Sequence, residues 1–295
     1  MSYFFIINPN SGKKREKAFI EQFIRDESEK RKFNFEIHYT KSKGHACELS
    51  AEAALKGFNT VVAVGGDGTI REAASSLVGE GKPALAVVPL GSGNGLARNL
   101  CLPLDWKKAL EVVFRAQVRR IDAGLCNGEL FLCACGFGID ALIARKFNSG
   151  NHGRGLIPYF ISGFSSFLKF GAKLTRVKVG NGEIFQLFPL IGAVMNGRQY
   201  GGGAVINPEG LIDDGFLELV TVPSMGFFSA ILKVPYIFNG KIMEKKVASF
   251  LRIKNVEILL GRDSLYHLDG EDFFSPEGVL KVSVLPGALK VIVSS

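Results

Sequence analysis

Thr60-Val61-Val62-Ala63-Val64-Gly65-Gly66-Asp67-Gly68-Thr69-Ile70-Arg71-Glu72-Ala73-Ala74 joins an apolar, β-branched run to a helical pattern through a loop of three glycines around one acid. The first five residues have the composition of a strand buried on both faces, as in a parallel sheet covered by helices. Thr69 and Glu72 stand in T-x-x-E spacing, which predicts a capping box and a helix that starts at the threonine. A helix start presents amides without intrahelical partners, and its dipole favours negative charge. Glycines let a ligand approach the main chain, so strand, glycine loop and helix together predict a phosphate site. An acid among such amides would repel the phosphate unless it held magnesium or took a proton from an attacking hydroxyl. That makes Asp67 a candidate catalytic residue.

The same arrangement recurs downstream. Ala84-Leu85-Ala86-Val87-Val88 reads as a second buried strand, and it leads through Pro89-Leu90 into Gly91-Ser92-Gly93-Asn94-Gly95 and a further helical stretch. Neither loop carries the Lys-Ser or Lys-Thr of a Walker A motif, and G-x-G-x-G is not the dinucleotide spacing G-x-G-x-x-G. Two such loops could grip one nucleotide. Upstream, residues 4–8 and 33–39 read as strands, and residues 17–25 and 46–55 as amphipathic helices. Strands alternating with helices predict a largely parallel sheet up to about residue 120. Beyond Asp122 the texture turns to closely spaced strands. Asn181-Gly182 marks a hairpin between 173–179 and 183–190, helices interrupt at 140–170 and 225–238, and strands at 279–285 and 289–293 close the sheets.

The 295 residues, 47% of them hydrophobic, suffice for two cores. Thirty-six Lys plus Arg against 28 Asp plus Glu give a net charge of +8, which suits nucleotides, anionic lipid surfaces or nucleic acid. Basic clusters such as Lys13-Lys14-Arg15 lack interleaved aromatics, so nucleic acid is not the expected partner. Cys47, Cys101, Cys126, Cys133 and Cys135 show no metal-ligand spacing; Cys133 and Cys135, in the strand-like run 130–135, read as small apolar side chains in a reducing compartment, the cytoplasm. The first residues lack the basic start of a signal peptide. The apolar segment 156–170 is broken by Pro158 and Gly163 and is too short to span a bilayer, so any membrane contact is expected to be peripheral.

Asn8-Pro9-Asn10-Ser11-Gly12, the GGDGT of 65–69, the PLGSGNGLA of 89–97 and Asp269-Gly270-Glu271 occur in this order over nearly the whole chain. In these motifs the chain resembles the diacylglycerol kinase catalytic-domain family, which includes bacterial soluble lipid kinases and sphingosine kinases. The resemblance implies an α/β plus β fold. Residues 1–122 would form a three-layer α/β ATP-binding domain, residues 123–295 a β-sandwich lipid-substrate domain, with the nucleotide cleft between them. By position it implies ATP contacts at Asn8, Thr40, Gly65, Gly66, Asp67, Gly68, Thr69, Glu72, Gly91, Ser92, Gly93 and Asn94. It also implies catalytic roles for Asp67, Asp122 and Glu271, and a structural Mg2+ site at Leu211, Asp214 and Phe216. Lys13 and Arg154 are candidates for phosphate contacts. The implied activity transfers the γ-phosphate of ATP to a lipid hydroxyl presented at a membrane surface; a homodimer is compatible with it.

Two departures bear on the acceptor. Many bacterial diacylglycerol kinases end the second loop with an aspartate near magnesium, and this chain has Gly95 there. Gly91-Ser92-Gly93-Asn94 is similar to sphingosine kinases, and Asp140 matches the carboxylate those enzymes turn toward a sphingoid head group. GGDGT, however, is the bacterial form of the first loop, so a glycerolipid and a sphingoid base both stand as acceptors. NAD kinases and phosphofructokinases share a GGDG loop but not the remaining motifs. A nonenzymatic lipid or nucleotide sensor is the reading of a different class, and the three intact acids weigh against it.

Overall fold

The computed structural model describes residues 1–115, 117–149, 170–180, 182 and 184–294. The chain forms two compact units: Met1–Ile121 with Gly287–Ser295, and Asp122–Pro286.

The first unit is α/β. Its strands β1 (Ser2–Ile7), β2 (Asn34–Tyr39), β3 (Thr60–Gly65) and β4 (Ala84–Pro89) alternate with helices α1 (Lys14–Arg31), α2 (His45–Leu55), α3 (Asp67–Ser75), α4 (Gly95–Asn99) and α5 (Trp106–Arg115). The strands pair in parallel in the order β2-β1-β3-β4. Both faces of the sheet are covered, as successive residues of β1 make clear. Tyr3 meets Phe114 of α5 and Phe33, whereas Phe4 packs against Phe58 beyond α2. Period-two alternation with aromatics on both sides is what a three-layer arrangement demands.

The second unit is a β-sandwich with two helices among its described residues. In chain order it holds β5 (Gln117–Cys126, from Asp122 on), β6 (Glu129–Phe131), β7 (Ala134–Gly138), α6 (Ile139–Ser149), β8 (Thr175–Val179), β9 (Ile184–Leu187) and β10 (Pro189–Met195). There follow β11 (Leu217–Pro223), α7 (Phe227–Phe238), β12 (Ser249–Ile253), β13 (Asn255–Leu259), β14 (Ser264–Leu268), β15 (Glu271–Ser275) and the start of β16 (Val279–Val293). One sheet runs β12-β11-β10-β7-β14-β15, antiparallel throughout. The other carries β16, β13, β8 and β9. Phe137, Val194, Leu219 and Tyr266 of the first meet Phe131, Val177, Ile258 and Val282 in a buried core between the layers. Burial there pushes the Tyr266 hydroxyl up to about 12. The Cys135 thiol, hydrogen-bonded to Cys126 and fully buried, is raised well above the usual thiol range, so both behave as apolar filling.

Four expectations change. The helix after the first glycine loop begins at Asp67 with Gly66 as its N-cap and no side-chain cap; Thr69 lies inside the first turn, so the Thr69–Glu72 capping box does not form. The hairpin β8–β9 is present, but its second strand stops at Leu187 because Pro189 starts a separate strand with an irregular register at Pro189/Ile191; Asn181 itself lies outside the described residues. The final two strands are one. A proline is tolerated in a strand at edges and kinks, and here Pro286-Gly287, with Gly287 at φ 55, lets β16 continue from antiparallel pairing with β13 into parallel pairing at Val291 with Leu85 of β4. Residues 287–295, expected in the second domain, thus complete the first unit's sheet. Arg154 and residues 156–169 of the apolar segment lie outside the described residues.

Candidate active site

In the first unit, the strand order places β1 and β3 side by side with their helices leaving in different directions, the kind of switch point where open α/β sheets bind ligands beyond the strand ends. Asn8 follows β1, Thr40 follows β2, the 65–69 loop follows β3 and the 91–94 loop follows β4. Backbone bonds tie these ends together: Asn8 N–H donates to Val64 O at 3.0 Å, Thr40 N–H to Ile7 O at 3.0 Å and Leu90 N–H to Gly65 O at 2.8 Å. The Asn8 side-chain amide donates to the Thr69 hydroxyl at 2.9 Å, fixing the first turn of α3 against the end of β1.

The glycines serve close approach rather than left-handed backbone. A Cβ on Gly91 would stand 2.7 Å from Gly66 Cα, and one on Gly93 would stand 2.7 Å from Asp67 Oδ2. The residue with positive φ in these loops is Asn94, at φ 51. Asparagine tolerates that region because its side chain replaces lost backbone bonds. Asn94 Oδ1 accepts Gly91 N–H, and its amide donates back to Gly91 O, both at 2.9 Å. Arg98 Nε donates to Gly93 O at 3.1 Å. Asp67 then bridges the loops: its Oδ1 accepts Gly95 N–H, at the start of α4, at 2.6 Å. Gly68 and Thr69 lie in the first turn of α3, where amides are outside the helical ladder. Ser92 is exposed, while Glu72 and Thr40 are partly exposed. Unit one therefore gathers Asn8, Asp67, Thr69, Gly91, Gly93 and Asn94 in one bonded constellation. It can hold a phosphate chain against main-chain amides, with one acid beside it.

The second unit organises three acids differently. Asp122 is 1% exposed; its Oδ2 accepts Gly215 N–H at 2.6 Å, and its carbonyl accepts the Asn196 amide at 2.9 Å. Its neighbour Arg120 pairs with Glu80 at 2.7 Å. Asp122 braces the 212–215 turn. Asp140, 4% exposed, accepts the Tyr200 hydroxyl at 2.8 Å and faces His267 Nε2 at 3.3 Å through Oδ2, while Oδ1 accepts Ala141 N–H at 2.9 Å. Gly136 lacks a Cβ because this pair occupies its space: the added carbon would lie 2.1 Å from His267 Nε2.

Glu271 opens β15 beyond a tightly held turn. Asp269, at φ 50, accepts the amides of Leu132, Cys133 and Ala134 at 2.7–2.9 Å. Gly270 N–H reaches His267 Nδ1 at 3.3 Å, and Asn148 donates to Gly270 O at 3.0 Å and to Asp272 Oδ1 at 2.9 Å. With Nδ1 accepting, the His267 tautomer that donates from Nε2 to Asp140 is the one that satisfies both bonds. Sequence reasoning missed Tyr200, His267, Asn148 and Asn196. No signal marked them in the sequence, since the turn at Asp269-Gly270 breaks the strand period and sets Glu271 opposite Leu268 rather than in line with His267.

Metal ligation was expected at Leu211, Asp214 and Phe216. Asp214 Oδ1 accepts Phe216 N–H at 3.0 Å, and Oδ2 pairs with Arg252 at 2.6 Å. The Arg252 guanidinium and the Lys254 ammonium both lie over the Phe216 ring. A carboxylate already neutralised by Arg252, with a second cation nearby, does not fit a cation site, and no step is derived through one there. Among the described residues no three His, Cys, Asp or Glu side chains cluster to hold a metal. Asp67 fits a different kind of ion, one borne chiefly by nucleotide phosphates and needing only one or two carboxylates.

Residues 2–126 match the family model described as the diacylglycerol kinase catalytic domain, and residues 133–293 match the YegS C-terminal NAD kinase beta sandwich-like domain. A Pseudomonas aeruginosa (strain UCBPP-PA14) protein named "Probable lipid kinase YegS-like" is 33% identical over 258 residues, covering 86% of this chain and 83% of that protein. One of the same name from Yersinia pestis (strain Pestoides F) is 28% identical, covering 90% and 88%. A crystal structure of a diacylglycerol kinase from Bacillus anthracis str. Sterne shares the fold at TM-score 0.72 and 18% identity, covering 99% of this chain and 97% of that one. A second structure from that organism superposes at TM-score 0.80 with 22% identity, covering 99% and 95%.

Proposed function

Because this chain belongs to the diacylglycerol kinase catalytic-domain family and is by class a lipid kinase, we propose that it transfers the γ-phosphate of ATP to the hydroxyl of a glycerolipid such as diacylglycerol. The observation that carries the reading is Asp67 bonded to Gly95 across two glycine loops at the β1/β3 switch point. The loops receive the phosphate tail on the amides of α3 and on the 91–94 backbone; Asn8, Thr69 and Asn94 keep those amides in place. Thr40, at the end of β2, and Glu72, in α3, are the further contacts the family resemblance implies. Magnesium, when bound with ATP, neutralises phosphate charge, and Asp67 is the residue that would hold it.

In the transfer, the lipid oxygen forms a bond to the γ-phosphorus, the bond to the β-γ bridging oxygen breaks, and ADP leaves. The hydroxyl proton goes to a carboxylate, for which the family resemblance offers Glu271 or Asp67; Asp67 Oδ1 accepts Gly95 N–H, and Asp122 positions the 212–215 turn. A glycerolipid is favoured over a sphingoid base because both oxygens of Asp140 already have partners within its own unit, among them Tyr200 and Ala141. No helix among the described residues is long and apolar enough to cross a membrane.

The test is incubation of the purified chain with radiolabelled ATP and a panel of diacylglycerol, monoacylglycerol, phosphatidylglycerol, sphingosine and ceramide, in parallel with Asp67→Asn. Label on diacylglycerol, lost by about a thousandfold in the variant, is the expected result. Label on sphingosine would move the acceptor, and ATP binding without turnover on any lipid would favour a sensor.

A further inference from the structure

A helix on the surface of a water-soluble protein turns its polar face outward. Helix α7 does the reverse. Tyr236 and Ile237 pack toward the core around Val220 and Ile242, and the outward stripe at i, i+3, i+4 and i+7 consists of Phe228, Ile231, Leu232 and Pro235. Phe228 is 82% exposed and Leu232 74% exposed, and no residue of the helix is buried. The helix contains no acid, and its one formal charge is Lys233. Directly after it come Lys241, Lys245 and Lys246, all exposed, against the single acid Glu244, which pairs with Lys245.

We infer that α7 with the lysines that follow it is a docking face for an anionic membrane leaflet, with Phe228 and Leu232 entering the acyl boundary and the lysines resting on the headgroups. An apolar stripe joined to a basic flank is the pattern of a helix lying in a membrane interface. Each lysine near an anionic leaflet is worth about fivefold in partition. A second copy of this chain fits the face less well. A twofold contact along α7 would bring the same lysines against one another, and one helical stripe falls short of the area a stable dimer needs. This inference rests on the reading that the acceptor is a membrane lipid, and it names the surface through which the enzyme reaches it.

The test is sedimentation of the full chain with vesicles of phosphatidylcholine containing about one-third phosphatidylglycerol, without nucleotide. The parent is compared with Phe228→Ser/Leu232→Ser and with Lys241→Gln/Lys245→Gln/Lys246→Gln. Partition is expected to fall at least about tenfold in the first variant. In the second it loses its dependence on phosphatidylglycerol and on salt, and both variants keep parental activity on a dispersed short-chain diacylglycerol. Unchanged vesicle partition of the serine variant would overturn the inference. So would a parental dimer that the serine substitutions split while partition stays the same. α7-dependent partition by a parent that phosphorylates no lipid would refute the kinase reading and leave the docking face standing.

Discussion

One added methyl group tests the glycine loops. Alanine at Gly91 would bring its Cβ to 2.7 Å from Gly66 Cα, a backbone atom that cannot swing aside, so the two loops must separate. Displacing a catalytic constellation by a fraction of an ångström to an ångström costs about a hundredfold. Gly91→Ala is therefore expected to lower kcat/KM for ATP by roughly that factor, whereas Gly226→Ala, whose Cβ meets nothing within 4 Å, leaves it unchanged. Steady-state kinetics on the two variants decides the matter, and parental kcat/KM in the first would show that loop contact is unimportant. Glu218 offers a pH test. Burial raises its carboxyl above the ordinary range, and the hydrogen bond from Asn207 offsets this only in part. The folded chain thus holds the proton more tightly than the unfolded chain; this contribution is complete below the ordinary carboxylate range and is lost as pH rises through the raised value. Glu218→Gln keeps an acceptor for Asn207 and removes the slope, so urea unfolding should show the variant gaining on the parent as pH rises from acid to neutral. Asp67 and its glycines were legible because an acid in a glycine loop has few structural uses. The reason for the glycines was not, because close approach between two loops is a tertiary fact, and so was the role of Asn94, whose left-handed backbone leaves no mark on spacing.

Strands and helices were legible wherever period and composition agreed, and less so where a single residue decided a boundary. The pattern of β3 and β4 predicted buried parallel strands, and both are buried along their whole length. The Thr69–Glu72 spacing misplaced the start of α3 because Asp67 and Gly68 enter the helix once Gly66 turns the chain. At the other end of the molecule, Pro286-Gly287 looked like a turn but lies within β16, where pairing with two different neighbours outweighs local preference. The turn before β15 shows how much an element can depend on one side chain. Asp269 receives three main-chain amides. Asparagine would set an NH2 group against at least one of them, leaving a donor without an acceptor. Asp269→Asn is expected to lower stability by about 1–3 kcal/mol and to reduce turnover more than ATP affinity, because the turn carries Glu271. Chemical unfolding with ATP titration measures both, and parental values would show the clamp to be dispensable.

At the scale of the whole molecule, two compact units are built on different principles, a parallel sheet with loops at its strand ends and a sandwich whose buried acids are held by hydrogen bonds within it. The order of four motifs along the chain made this division readable before any coordinate. The exchange of residues 287–295 into the first unit was unreadable, since it depends on a sheet edge formed by residues two hundred positions earlier, a separation of about that size being invisible to local pattern. The excess of basic residues lies almost wholly in the first unit; the second is nearly balanced, and there basic side chains gather just after the exposed stripe of α7. Amide hydrogen exchange with and without a nonhydrolysable ATP analogue puts the central claim to its most direct trial. Slowed exchange at Gly68, Thr69 and the 91–95 backbone, with Asp67→Asn weakening it, is the predicted result; unchanged exchange in both loops, with protection appearing elsewhere, would contradict the account.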